Sequence, residues 1–300
     1  MTKFSAWIQA FRLKTLPLAF SCILLGSLLA GSQMKTGVLM LTLLTTLFLQ
    51  ILSNLANDYG DYKSGVDNEQ RLGPSRSIQQ GLINPKEMLL GIIIFTLLSL
   101  LTGISLLLLV FKTLNIYFFV FFVLGIFAIV AAIKYTMGKN PYGYHGFGDL
   151  FVFLFFGWLG VLGTYYLHTQ NLHFEILLPA SSIGLLSTGV LNLNNLRDVE
   201  NDRAYGKQTL VVKMGFQTAK IYHLCLMLGA VLTALTYVYI QPQKLTYHYS
   251  FLLISIIWIR QIIRVYNCQE PQTLNPELKI LALSTLLFSV AYGIPFYLFS

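Results

Sequence analysis

Apolar residues run in long blocks along this chain, and the charged residues fall in the breaks between them. The charge-free runs are 15–34, 36–57, 88–111, 113–133, 150–174, 176–196, 221–243, 245–259 and 280–300. An α-helix rises about 1.5 Å per residue, so about 20 apolar residues cross a hydrocarbon core of about 30 Å. Eight of the nine runs reach that length. The exception, 245–259, spans if Arg260 snorkels toward the interface and the helix continues to about Asn267. The pattern predicts an all-α membrane protein with nine transmembrane helices.

Composition and charge placement sharpen this picture. The chain is 55% hydrophobic and 11% charged, where a soluble domain carries about 25% charged residues. With the N-terminus in the cytoplasm, 17 of the Lys and Arg residues lie on the cytoplasmic side and only Lys35, Lys112 and Lys244 lie opposite. That asymmetry follows the positive-inside rule and predicts a cytoplasmic N-terminus with the C-terminus outside. The net charge of +8 is then a topology signal. No groove-reading motif accompanies it, which excludes a nucleic-acid partner.

Lys3, Arg12 and Lys14 precede an apolar run ending Leu28-Leu29-Ala30-Gly31. This run exceeds the about 7–15 residues of a signal-peptide core, so it reads as a retained first helix. Cys22, Cys225 and Cys268 are scattered without ligand spacing. His168, His173, His223 and His248 read as interfacial residues on the outer side.

The chain reads as one transmembrane domain over 1–300, built of two four-helix repeats (about 10–135 and 148–268) with helix nine at 280–300. The second helix of the first repeat ends L-S-N-L-A-N-D-Y-G-D (Leu52 to Asp61). Its counterpart ends L-N-L-N-N-L-R-D-V-E-N-D (Leu191 to Asp202). Transporters also use repeats of this kind, so the repeat alone does not choose a function.

The two helix ends carry the chemistry. Gln50, Asn54, Asp58 and Asp61 fall on one helical stripe with Asn57 beside them. Asn194, Asp198 and Asp202 form a second stripe, with Asn195 adjacent. Polar groups at membrane depth are costly and usually face a cavity. Acids at a helix C-terminus also oppose the negative end of the macrodipole. A lone acid there is a solvated cap, whereas two matched acidic stripes point to a cation site. Magnesium binds through one or two carboxylates plus phosphate oxygens and water, so the two walls suit a metal-bound diphosphate. Lys134, Arg71, Arg76, Arg203 and Lys207 stand just beyond the stripes as candidate partners for phosphate oxygens.

At these residues the chain resembles the UbiA superfamily of intramembrane prenyltransferases. That superfamily carries N-D-x-x-D-x-x-x-D after helix two and D-x-x-x-D after helix six. Here the first reads N-D-Y-G-D-Y-K-S-G-V-D (Asn57 to Asp67) and the second D-V-E-N-D (Asp198 to Asp202). Gly65 stands where the third Asp is expected, and Asp67 follows two residues later. Three further runs accompany that departure: D-N-E-x-R-L-G-P from Asp67, Y-G-Y-x-G-F-G-D-L-F-V-F-L-F-F-G from Tyr142, and N-N-L-R-D-V-E-N-D-R-A-x-G-K-x-T-L from Asn194. Together they resemble the branch that prenylates dihydroxynaphthoate in menaquinone biosynthesis.

The resemblance implies nine helices around a central cavity and Mg2+-dependent transfer of a polyprenyl chain from its diphosphate to an aromatic ring. It implies that Asn54, Asp58, Asp61, Asp198 and Asp202 take the metal and diphosphate, through an allylic carbocation. In that branch the ring carboxylate leaves as carbon dioxide, giving a demethylmenaquinone in the bacterial cytoplasmic membrane. Asp67 is a candidate base. The loop holding Tyr142, Tyr144 and His145 either lines the acceptor entrance or is a turn in which Asp149 caps helix five. The alternatives are a sister enzyme using hydroxybenzoate or homogentisate and a secondary transporter. The displaced Asp67 opposes the former. Acids gathered at one interface rather than the midplane oppose the latter.

Overall fold

The computed structural model describes residues 2–67, 72–241 and 246–299, and every regular element among them is helical. In chain order the α-helices are α1 (Lys3–Phe11), α2 (Leu16–Leu29), α3 (Thr36–Ser64), α4 (Pro85–Phe111) and α5 (Ile116–Lys134). They continue with α6 (Gly148–Val152), α7 (Gly163–Thr169), α8 (Leu177–Arg197), α9 (Val199–Ala204) and α10 (Leu210–Met214), and end with α11 (Phe216–Ile240), α12 (Leu252–Tyr266) and α13 (Asn275–Leu298). A π-helical stretch, Phe153–Leu162, joins α6 to α7.

Among the described residues, nine helical segments are long and apolar enough to cross a membrane, from Lys3–Leu29 to Pro271–Leu298. On α4 the side chains of Leu90, Ile93, Leu97 and Leu101 are exposed at helical spacing, as are Phe119, Val123, Phe127 and Val130 on α5. Apolar stripes of this length would be an aggregation surface in water and are an ordinary surface in lipid. The chain is a multi-pass membrane protein.

The first segment departs from the charge-free pattern by starting at Lys3. Its N-terminal part, α1, buries Ala6 and Ala10, and Trp7 and Phe11 pack on the same core. The helix stops at Arg12, which is left-handed (φ 49°, ψ 50°) and donates its backbone N–H to the Gln9 carbonyl. Asn84 opens α4 with a capping box to Glu87 and Pro85 in the first turn. Asn115 caps α5 through the Phe118 N–H.

The chain packs into two compact units. The first comprises Met1–Leu16, Met40–Gly148 and Asp198–Lys213. Its core joins Ala6 and Ala10 of α1 to Leu52, Leu55 and Ala56 of α3, Met88 and Ile92 of α4, and Ile129 of α5. Close approach is achieved at Gly60, where an added Cβ would lie 2.5 Å from the Thr136 carbonyl oxygen. Thr136 reinforces that contact by donating its hydroxyl to the Ala56 carbonyl at 3.0 Å. The glycine of N-D-Y-G-D is therefore a packing residue. Gly60→Ala is expected to destabilise the unit by about 1–3 kcal/mol, read as a lowered thermal midpoint of the purified protein.

The second unit comprises Pro17–Leu39, Asp149–Arg197 and Met214–Ser300. The most enclosed span is Phe174–Arg197, which contains α8. α8 packs on α11, α13 and the π-helical stretch. Two expectations are corrected here. Asp149 is not the cap: it lies inside the first turn of α6, and its carboxyl is bonded by Tyr222. The histidines at 168, 223 and 248 are buried rather than interfacial. His168 binds the Ser27 hydroxyl at 2.9 Å, and His248 stacks on Phe296.

Candidate active site

The first acidic stripe lies on α3, which stays helical through Asp61 and ends at Ser64. Its amide end holds the break between α1 and α2. The Asn54 amide donates to the Phe11 carbonyl at 2.9 Å and to the Thr15 hydroxyl at 3.2 Å. Gln50 donates to the same hydroxyl at 3.1 Å. These bonds fix the turn at Arg12, whose guanidinium forms an ion pair with Asp58.

Asp58 is 1% exposed and has a second cation: Arg76 Nε lies 3.3 Å from Asp58 Oδ1 and 3.8 Å from Asp67 Oδ2. Asn57, in the amide orientation that satisfies both neighbours, donates to Asp61 Oδ2 at 3.1 Å and accepts from Arg12 Nη1 at 3.3 Å. Beyond Ser64 the chain leaves the helix through Gly65 at φ 75°, and the Asp67 N–H returns to the Asp61 carbonyl at 3.2 Å. A left-handed φ favours glycine. Position 65 is therefore a turn residue, and the carboxylate comes two positions later, beside Arg76.

The second motif folds onto the first within the same unit. Lys207 Nζ lies 3.7 Å from Asp61 Oδ2 and 3.9 Å from Asp202 Oδ1, so one ammonium joins a carboxylate from each motif. Asn201 ties the two loops by donating to the Val66 carbonyl at 2.9 Å. Tyr144 completes the group. Its hydroxyl donates to Asp61 Oδ1 at 2.7 Å and contacts the Ser64 hydroxyl at 2.6 Å, and its ring lies under Lys207.

Burial opposes the charge on Lys207, but Asp61 and Asp202 outweigh it and hold the ammonium well above its ordinary pKa. Burial, together with the Asp61 charge, pushes the Tyr144 phenol up, so it remains a donor. The second stripe is not one continuous helix. α8 ends at Arg197, Asp198 stands at the break, and α9 begins at Val199. The Asp202 N–H still reaches the Asp198 carbonyl at 2.8 Å. Both carboxylates are buried.

The other expected residues are dispersed. Asn194 accepts from Arg197 at 2.8 Å within the second unit, where Asn195 is buried. Arg203 pairs with Glu200 at 3.3 Å in a half-exposed position. The Tyr142 hydroxyl is occupied by the Ala131 carbonyl at 3.0 Å, and burial raises its pKa. Lys134 ends α5 exposed. Arg71 lies outside the described residues. In the sequence Arg12 stands only as a topology charge and Tyr144 only as a candidate entrance residue. Stripe spacing on α3 contains neither, because both arrive from other elements.

Among the described residues, no three His, Cys, Asp or Glu side chains are gathered closely enough to enclose an ion. Magnesium does not require such a cage, since it keeps waters and substrate phosphates in its octahedron. The donor set here is all oxygen, buried and anionic, and it is already balanced by Arg12, Arg76 and Lys207. Those are the conditions a hard dication with a diphosphate would meet, so the residues fit magnesium.

Known proteins give the same direction. The model of the UbiA prenyltransferase family matches residues 19–286. The 1,4-dihydroxy-2-naphthoate octaprenyltransferase of Haemophilus influenzae is 44% identical over 97% of this chain and 96% of its own. The protein of the same name from Escherichia coli is 41% identical over 99% of this chain and 97% of its own. Among solved structures, a UbiA homologue from Archaeoglobus fulgidus bound to GPP and Mg2+ superposes with TM-score 0.65 at 20% identity, over 96% of this chain and 99% of that one. The apo structure of a UbiA homologue from Aeropyrum pernix K1 superposes with TM-score 0.69 at 16% identity, over 92% of this chain and 98% of that one.

Proposed function

The chain belongs to the UbiA prenyltransferase family, and from that premise we propose that it transfers a polyprenyl chain to 1,4-dihydroxy-2-naphthoate, giving demethylmenaquinol, the reduced form of a demethylmenaquinone. The observation that carries the reading is the meeting of the two acidic motifs around Lys207 in one buried cluster. Identity above 40% to two dihydroxynaphthoate octaprenyltransferases supports the acceptor.

Asp58, Asp61, Asp198 and Asp202, with Asn54, would hold magnesium, whose bound charge neutralises the diphosphate and makes it a leaving group. Arg76 and Lys207 supply cations to the remaining diphosphate oxygens. Arg71, Lys134, Arg203 and Asn57 are further candidates for that contact. Tyr144 keeps its proton and holds Asp61 in one orientation. The allylic C–O bond breaks and diphosphate departs. The ring carbon bearing the carboxylate then attacks the allylic cation, and carbon dioxide leaves with restoration of the aromatic ring. Asp67, 3.8 Å from Arg76 Nε, orients that guanidinium and is the candidate base.

We place the protein as one prenyltransferase domain in the bacterial cytoplasmic membrane. In this reading the N-terminus faces the cytoplasm, which the Lys and Arg asymmetry supports. Membranes containing the protein, given Mg2+, a polyprenyl diphosphate and dihydroxynaphthoate, are expected to release diphosphate and form prenylated naphthoquinol. Folded protein that makes product only from hydroxybenzoate or homogentisate would reassign the acceptor.

A further inference from the structure

Each carboxylate that would ligate metal on α3 already has a cation of the protein's own. Asp58 is held by Arg12 and by Arg76 Nε at 3.3 Å. Asp61 shares Lys207 with Asp202 at 3.7 and 3.9 Å. Asp58 is 1% exposed and Lys207 is 6% exposed, so water compensates these charges poorly. A dication arriving alone would have to displace Arg12 or Lys207 from its carboxylate. It would leave that cation buried beside new positive charge, which is strongly unfavourable. A dication arriving with diphosphate brings the anionic oxygens that re-pair the displaced cations.

We propose that Arg12 and Lys207 are resident counter-ions that make metal binding conditional on diphosphate. The proposal rests on the reading of Asp58, Asp61 and Asp202 as metal ligands. Arg12 is placed for this role. Its left-handed backbone is pinned from below by the Asn54 bonds to Phe11 and Thr15 and by its own N–H to Gln9. Only the long side chain needs to move from Asp58 toward an incoming anion. The coupling is reciprocal, so metal and diphosphate tighten each other by the same factor. The two ligands then enter as a pair, and the carboxylates are not sequestered by free dication between turnovers.

The test uses the full chain in nanodiscs. Mn2+ binding is measured without diphosphate, and radiolabelled inorganic diphosphate binding is measured with and without Mn2+. Arg12→Gln and Lys207→Gln are each expected to bind Mn2+ alone about tenfold more tightly than the parent, within the usual 5–150-fold range of such couplings. The Mn2+-dependence of diphosphate binding should shrink by a similar factor, and Arg12→Lys should restore the parent values. A merely structural defect would loosen the site and weaken the metal rather than tighten it. Asp58→Asn separates the two levels of the argument. If it loses the Mn2+-dependence of diphosphate binding while neither Arg12→Gln nor Lys207→Gln gains affinity for Mn2+ alone, the counter-ion role falls and the ligand reading stands. If Asp58→Asn keeps the parent's Mn2+-dependent diphosphate binding, both fall.

Discussion

Replacing Asp58 by asparagine is expected to lower turnover by about a thousandfold while the protein still inserts and folds. The substitution keeps shape and an acceptor oxygen but removes the negative charge that Arg12 and Arg76 now share. Electrostatic groups aimed at developing charge are each worth about 10²–10³ in rate, and a charge that also holds a metal belongs at the upper end. Arg76 retains Asp67 as a partner at 3.8 Å, which limits the structural damage. Initial rates in membranes with quantified protein measure the effect, and Asp198→Asn should behave alike. A loss under tenfold at Asp58 would remove it from the metal set.

Lys207→Met carries the largest expected effect on stability. The ammonium is the shared partner of Asp61 and Asp202, and its side chain is 8% exposed. Removing one member of a buried charged group costs about 3–5 kcal/mol, because Asp61 and Asp202 lose the ammonium they share. The pH dependence follows from the direction of the shift. The folded pKa of Lys207 is raised above its ordinary value. Its contribution is therefore complete below the unfolded pKa of about 10.4 and is lost only as pH rises through the higher folded value. Denaturation midpoints should differ between parent and variant by a constant amount from roughly pH 6 to pH 9. Adding Mn2+ with diphosphate should narrow the gap. A gap that closes on raising the pH within that window would show that Lys207 is not the charged partner.

Much of this architecture is legible in the sequence, for definable reasons. Lipid demands long apolar helices, so charge-free runs map onto the spans; even the short run at 245–259 overlaps the span Tyr247–Tyr266. The α3 stripe is equally legible because α3 stays regular through Asp61. The second stripe is not: the chain breaks at Asp198, where i, i+4 spacing predicts continuous helix. Arg12 escapes for a related reason. As a linear feature it is one more cytoplasmic charge, and only the turn fixed by Asn54 and Thr15 carries its side chain to Asp58. Asn54 also builds that turn through its amide nitrogen, a role its place on the stripe does not announce. The π-helical stretch Phe153–Leu162 has no signal in an apolar run that suits any helix.

The return of residues 198–213 to the first unit also sets a schedule for biosynthesis. Asp58 and Asp61 leave the ribosome long before Lys207, with the spans through Phe174–Arg197 emerging between them. At about 5–20 residues per second, that interval is roughly seven to thirty seconds. Through it the nascent first unit contains Asp61 without Lys207. The growing chain must keep that carboxylate in contact with water until its cation is translated. Chains arrested before residue 207 are thus expected to be marked for quality control by an open acidic face, and those released after it to close.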